Sequence, residues 1–141
     1  MIGIDTNVLL RYLLGDDETQ AAKADKLLSG NQPVLITDVV LVETIWTLKG
    51  KKYQLKKQEL LALVQALFKE PNIRFEDGQT VWMALDDYRK AKPSGGKEAD
   101  FSDALIARKA KFTASVQKAD YGGVYTFDAA AQQLPGTKVP K

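Results

Sequence analysis

The sequence contains no histidine and no cysteine. Without cysteine the chain has no disulfide, no thiolate nucleophile and no zinc ribbon. Without histidine it cannot use an acid–base mechanism that depends on a pair of imidazoles. Any catalysis would therefore depend on carboxylates, and several gathered carboxylates are best stabilised by a hard divalent cation such as Mg²⁺ or Mn²⁺.

A long apolar run is also absent, because no apolar stretch approaches the ~20 residues of a membrane span. The first predicted strand begins at Ile2, directly after Met1, which leaves no room for a signal peptide. We therefore expect a cytoplasmic protein with no membrane partner. The 141 residues, 45% hydrophobic and 27% charged, predict one soluble domain over residues 1–141. The net charge of +2 does not decide for or against a nucleic-acid partner.

Short apolar runs alternate with segments of helical periodicity along the chain. The runs predict strands at residues 2–5, 34–37, 72–76 and 124–127, with 137–139 as a candidate fifth strand. The periodic segments predict helices at residues 6–14, 17–29, 38–49, 56–69, 79–92, 100–114 and 128–133. Such alternation is typical of an α/β fold, in which helices cover both faces of a parallel sheet.

Acidic residues recur where predicted strands end and at, or just inside, the starts of predicted helices. In a parallel α/β sheet, ligands bind outside the carboxyl ends of the strands. We therefore expect these acids near one rim of the sheet, as a metal-binding and catalytic centre, although the strand order is not in the sequence. They are Asp5, Glu43, Asp100, Asp103 and Asp128.

The same positions suit helix caps. Asp5 and Asp128 could cap the first and the last predicted helix. Asp100 and Asp103 resemble a capping box with aspartate in place of glutamate at its third position. The two interpretations are compatible, because a carboxylate at a helix start can also face a metal.

Glu43 lies in a predicted helix that is apolar on nearly every side, with Val39 and Trp46 on its own face. We expect its carboxylate to be buried or at a rim. Burial of an unpaired charge costs several kcal/mol or shifts its pKa, and a metal or a cationic partner removes that cost. The alternative is a glutamate that reaches the surface.

Four segments together resemble a known family. They are Ile-Asp-Thr-Asn-Val-Leu at 4–9, Val-Glu at 42–43, Asp-Phe-Ser-Asp-Ala-Leu-Ile-Ala at 100–107 and Thr-Phe-Asp at 126–128. In this order, in a chain of this length, they resemble the PIN-domain nucleases and, within them, the VapC-type toxins of bacterial toxin–antitoxin pairs. The resemblance implies a PIN-like three-layer α/β/α sandwich with a short, mainly parallel sheet of four or five strands.

The resemblance also implies a function. It implies an endoribonuclease that hydrolyses RNA phosphodiester bonds with Mg²⁺, or alternatively Mn²⁺, and that inhibits translation and growth as a toxin. Asp5, Glu43 and Asp100 match the three central acids, Asp103 matches a frequent additional acid, and Asp128 matches the more variable fourth. The first four would be catalytic, and all five would be metal ligands. A homodimer and a cognate antitoxin are the implied protein partners.

Other functions remain open. A DNA-directed PIN nuclease would share the metal chemistry, and a non-catalytic PIN-type binding module would share the fold. A receiver-like phosphoacceptor would leave Glu43 and Asp100 without a role. A haloacid-dehalogenase-type phosphatase needs Asp-x-Asp, whereas this chain has Asp-Thr-Asn at residues 5–7.

Two basic clusters could hold RNA phosphates beside the acids. The first contains Arg89, Lys90, Lys92 and Lys97. The second contains Lys49, Lys51, Lys52, Lys56 and Lys57 around Tyr53, which could stack on a base or simply pack. The alternative for each cluster is a solvated loop or helix face.

Overall fold

The computed structural model describes residues 1–141, which divide into two units, Met1–Glu76 and Asp77–Lys141. None of its helices combines the length and the apolar character that a membrane crossing requires. The α/β class with parallel strands is confirmed, since all five strands pair in parallel.

The first unit contains a parallel sheet of three strands in the order β1-β2-β3. The elements in chain order are β1 (Ile2–Gly3), α1 (Thr6–Leu14), α2 (Glu18–Leu28), β2 (Val34–Ile36), α3 (Asp38–Lys49), α4 (Lys57–Lys69) and β3 (Ile73–Phe75). Ile2 pairs with Val34, and Val34 pairs with Ile73. Each crossover between neighbouring strands therefore carries two helices.

Apolar side chains from the sheet and from the helices form the core of this unit. Val34 and Ile36 on the central strand are completely buried, as are Leu9 of α1 and Leu48 of α3. On α3 the buried positions are Leu41, Thr44, Ile45 and Leu48, which lie on one helical face. The opposite face of α3 is exposed although part of it is apolar.

The second unit contains α5 (Gly78–Lys90), α6 (Phe101–Val116), β4 (Val124–Tyr125), a short 3₁₀ helix (Ala131–Gln133) and β5 (Thr137–Lys138). Strands β4 and β5 pair in parallel as a separate two-stranded sheet. The five strands thus lie in sheets of three and two rather than in one sheet. The predicted helix at 128–133 is only a single 3₁₀ turn.

Helices α5 and α6 are joined by a partly buried ion pair. Arg108 of α6 donates to both carboxylate oxygens of Asp87, with the Nη2–Oδ1 distance 2.9 Å. The hydrogen bonds that Arg108 donates to Asp87 raise the pKa of Arg108, although burial opposes this shift. At the next residue of α5, the ring of Tyr88 meets that of Phe101 edge to face, with 6.2 Å between the centroids. These contacts hold the start of α6 against α5.

Most predicted element bounds agree with the structure. The helices predicted at 6–14 and 38–49 have those bounds, and the helix predicted at 56–69 begins one residue later, with Lys56 as its N-cap. The strands are shorter than predicted, and the helix predicted at 79–92 is Gly78–Lys90. That helix ends before Pro93, because the residue that precedes a proline disfavours helical backbone.

Loss of the ion pair between Asp87 and Arg108 should destabilise the protein. Arg108→Ala leaves the carboxylate of Asp87, which is 8% exposed, without its partner. We expect the free energy of unfolding to fall by about 3–5 kcal/mol. Chemical denaturation measures this, and Asp87→Leu combined with Arg108→Met should recover most of the loss. A change below about 1 kcal/mol for Arg108→Ala would contradict the assigned role.

Asp77, which caps α5, should make stability depend on pH. Its burial raises the pKa, but hydrogen bonds from Thr80 and the ion pair with Lys109 outweigh burial and hold the pKa below the ordinary 3.8. A lowered folded-state pKa adds stability above the unfolded pKa, and this stability is lost as pH falls through the folded value. Asp77→Asn keeps a capping side chain, so its unfolding free energy should decline less steeply below pH 3.8. If the unfolding free energies of the wild type and of Asp77→Asn fall equally steeply below pH 3.8, the ion pair and cap at Asp77 do not cause the pH dependence.

Candidate functional site

Asp5 lies at the start of α1, just after the first strand. Ile4 continues the strand pairing by donating its N–H to the Leu35 carbonyl at 3.3 Å. Asp5 then has extended backbone and caps α1, because its Oδ1 accepts the N–H of Val8 at 2.9 Å. The residue is exposed, so its second oxygen, Oδ2, can face a cation from solvent. The predicted cap is confirmed.

Glu43 is exposed, so the expectation of burial is wrong and the alternative, a glutamate that reaches the surface, is correct. Helix α3 packs through its opposite face, and an all-round apolar sequence does not show which face will pack. The expected desolvation cost therefore does not apply to Glu43. Its carboxylate is instead held by Thr6, whose Oγ1 donates to Oε1 at 3.3 Å. This bond links the second acid to the start of α1, next to Asp5.

A further acid, missed in the sequence analysis, lies at the same sheet edge. Glu76 directly follows β3, and its Oε1 accepts the N–H of Asp38, the first residue of α3, at 3.4 Å. Asp5, Asp38 and Glu76 thus follow the three parallel strands one after another. The strand-end rule used for Asp5 would have pointed to Glu76, which ended a predicted strand.

Asp100 and Asp103 form the predicted capping box at the start of α6. The N–H of Asp100 donates to Oδ2 of Asp103 at 3.0 Å, and the Asp100 side chain in turn takes the N–H of Asp103. Both residues are half-buried. The box holds two carboxylates close together on one rigid helix, at a positive dipole end that stabilises their charge.

Tyr88 lies near this capping box, and its pKa is raised. Burial of the phenol, together with the nearby negative charges of Asp100 and Glu98, raises the pKa of Tyr88 to about 12. The ring is 4% exposed and meets Phe101, the first residue of α6. Burial is thus the main cause of the raised pKa, and the two carboxylates add to it.

Asp128 follows β4, as predicted, but does not cap a helix. Its Oδ1 accepts the N–H of Ala130 at 2.9 Å, which makes a turn rather than a helix start. The 3₁₀ helix begins three residues later, with Ala130 at its N-cap. Asp128 is exposed in a segment that also exposes Phe127.

The acids provide the right donors for a hard divalent cation, since every candidate is a carboxylate. They occur as a linked pair in each unit, Asp5 with Glu43 through Thr6, and Asp100 with Asp103 through the capping box. No group of three or more acidic side chains is arranged as a metal site. The donor chemistry therefore fits a hard divalent cation such as Mg²⁺ or Mn²⁺.

The two basic clusters differ in their environment. In the first, Arg89 and Lys90 both pair with Asp86 on α5, and the hydrogen bonds from Lys90 and Arg89 lower the pKa of Asp86. Part of that positive charge is thus already compensated. In the second, Lys52 lies over the ring of Tyr53, 5.2 Å from its centroid. Tyr53 is half-buried beneath this cation and so is poorly placed to stack on a base.

Comparison with known proteins identifies a family. The family model described as the PIN domain matches residues 2–134, a match that confirms the PIN-like α/β fold. No curated protein matches this chain. Among solved structures, the chain is similar to that of VapC20 from Mycobacterium tuberculosis, a toxin that cleaves the sarcin–ricin loop. The identity is 16%, the TM-score is 0.41, and the match covers 94% of this chain and 93% of that one.

Two substitutions of Asp5 test its role as a helix cap independently of any role in metal binding. Asn caps helices as well as Asp does, so Asp5→Asn should leave the unfolding free energy almost unchanged. Asp5→Ala removes the acceptor for Val8 and should cost about 0.5–2 kcal/mol. Thermal or urea unfolding of the two variants makes the comparison. Equal stability of Asp5→Ala and the wild type would show that the cap contributes nothing.

Proposed function

Because the chain belongs to the PIN domain family, we propose that it is a divalent-metal-dependent endoribonuclease and the toxin of a toxin–antitoxin pair. The family match carries this proposal, since it extends over residues 2–134 and so includes all five candidate acids. The linked carboxylate pairs described above support it. Cleavage of RNA would inhibit translation and growth.

In the proposed site, Asp5, Glu43, Asp100 and Asp103 hold Mg²⁺ or Mn²⁺, and Asp128 completes the acidic centre. When bound, such a cation lowers the pKa of a water molecule and stabilises negative charge on the phosphate. The side chains supply the positioning. Thr6 restricts the rotamers of Glu43 by its 3.3 Å hydrogen bond, and the capping box restricts Asp103 in the same way.

Repulsion between the acids explains why the proposed site needs a cation. Carboxylates brought together repel one another, and in the absence of a cation this repulsion opposes the approach of a phosphodiester. The lysines of the two basic clusters attract the RNA backbone from a distance.

We further propose a cytoplasmic location, a homodimer and a cognate antitoxin that blocks the acidic centre.

The proposal predicts RNA cleavage that requires both a metal and Asp5. Purified protein, free of antitoxin, is incubated with total RNA and with single-stranded DNA, in Mg²⁺, in Mn²⁺ and in EDTA. We expect cleavage of RNA in either metal, none in EDTA, and a loss of about 100-fold or more in Asp5→Asn and Glu43→Gln, because charge stabilisation at the phosphate is removed. Gel electrophoresis of the products measures the rate.

Asp17→Asn is the matched control, because Asp17 caps α2 through the N–H of Gln20 and is not among the proposed acids. This variant should cleave at the wild-type rate. Full activity of Asp5→Asn would reject the assigned site. Cleavage of DNA but not RNA would favour the DNA-directed alternative, and a folded protein that binds no metal and cuts nothing would favour a binding module.

A further inference from the structure

Helix α3 exposes a stripe of four residues, Val39, Glu43, Trp46 and Lys49, here called the α3 stripe. Trp46 is 69% exposed and Val39 is 67% exposed. Tryptophan is on average a highly buried residue type, because its large ring gains most from leaving water. An indole with two-thirds of its surface in solvent therefore suggests a ligand that covers it.

The indole lies one turn from a proposed metal ligand. Trp46 is three residues after Glu43, about 4.5 Å further along the helix axis and on the same face. Thr6 holds the Glu43 carboxylate toward the start of α1. A phosphate bound at Glu43 would therefore have the indole of Trp46 close to it, within reach of the adjacent nucleotide.

The charge along the stripe changes sign at Trp46. Acidic groups lie on the side of Glu43, and Lys49 lies one turn beyond the indole. Lys51 and Lys52 follow in the exposed turn after the helix. A polyanion that leaves the acidic centre in this direction passes over the aromatic ring and then meets positive charge, which complements its phosphates.

We propose that Trp46 stacks on an unpaired nucleobase of the RNA substrate and thereby positions the adjacent phosphodiester at Glu43, while Lys49 and Lys51 contact the following phosphates. This inference depends on the nuclease function proposed above. The base must be unpaired, because in a duplex its faces are covered by its neighbours, whereas in a single strand they can stack on an aromatic side chain.

A second copy of the chain fits the α3 stripe less well. The stripe has only two large apolar side chains, and a stable protein interface needs about 800 Å² from each partner. In a symmetric contact centred on the stripe, the Glu43 carboxylates of the two copies would approach each other, and like charges in an interface are unfavourable. Charge complementarity thus favours a nucleic acid.

The first test uses fluorescence, because the chain has only two tryptophans, Trp46 and Trp82. Trp82→Phe leaves Trp46 as the only indole, and Trp46→Phe leaves Trp82, which is 50% exposed on α5. Both proteins also carry Asp5→Asn, so that bound RNA is not cut. A single-stranded RNA oligonucleotide in Mg²⁺ should quench the emission of Trp46 and leave that of Trp82 unchanged.

The second test uses cleavage kinetics with otherwise wild-type protein. Trp46→Ala should raise KM for a short single-stranded RNA by about 5- to 100-fold, the range expected for the loss of one base–aromatic stack, with a smaller change in kcat. Trp46→Phe should recover most of the loss. The dependence of KM on salt should not change, because no charge is removed. Trp82→Ala is the matched control and should behave as wild type.

Three other outcomes would overturn the inference, and they can be told apart. If Trp46→Ala has the wild-type KM, or if RNA binds without quenching Trp46, stacking is rejected and the nuclease function stands. If Trp46→Ala converts a dimer to a monomer in size-exclusion chromatography without changing KM, the stripe is a protein interface and the inference is wrong. If the wild-type protein neither binds nor cuts RNA, the proposed function itself fails, and this inference fails with it.

Discussion

The parallel pairing of three short strands places the starts of α1 and α3 at the same edge of one sheet. β1 is followed by Asp5 and β2 by Asp38, so both helices begin where their strands end. The hydrogen bond from Thr6 to Glu43 spans the two helices, although the residues are 37 apart in the chain. Without that pairing, Asp5 and Glu43 would be unrelated surface acids. Their proposed role in metal binding depends on this edge.

Capping and the proposed metal binding use the same side chains at these positions. A helix start offers unpaired N–H groups and a positive dipole end, both of which stabilise a carboxylate. Asp5 and Asp100 satisfy those groups, Asp5 by its Oδ1 and Asp100 within the capping box. The structural role therefore does not count against the functional one. It fixes each carboxylate on a rigid element, which lowers the entropic cost of holding a cation.

The exposed face of α3 carries both Glu43, a proposed metal ligand, and Trp46, the proposed base-stacking residue. A helix that is apolar nearly all round usually lies inside a protein, but here only the face of Leu41, Ile45 and Leu48 packs. The outward face carries an indole between an acid and a lysine. Burial would have made Glu43 a costly charge, whereas exposure makes it accessible to a substrate. The combination of a carboxylate and an aromatic ring on one exposed turn matches the chemistry of single-stranded RNA better than that of a protein partner.

The sequence by itself determined the α/β class, the bounds of six helices to within two residues, and the caps at Asp5 and Asp100. These features depend on local periodicity and on side chains within one turn. It also determined the family, through four short segments in a fixed order. Only the tertiary structure decided that the strands lie in two sheets, that Glu43 is exposed, that Thr6 holds it, and that Arg108 pairs with Asp87 on a neighbouring helix. Those features depend on which helical face packs and on contacts between residues far apart in the chain, and neither is encoded in local periodicity.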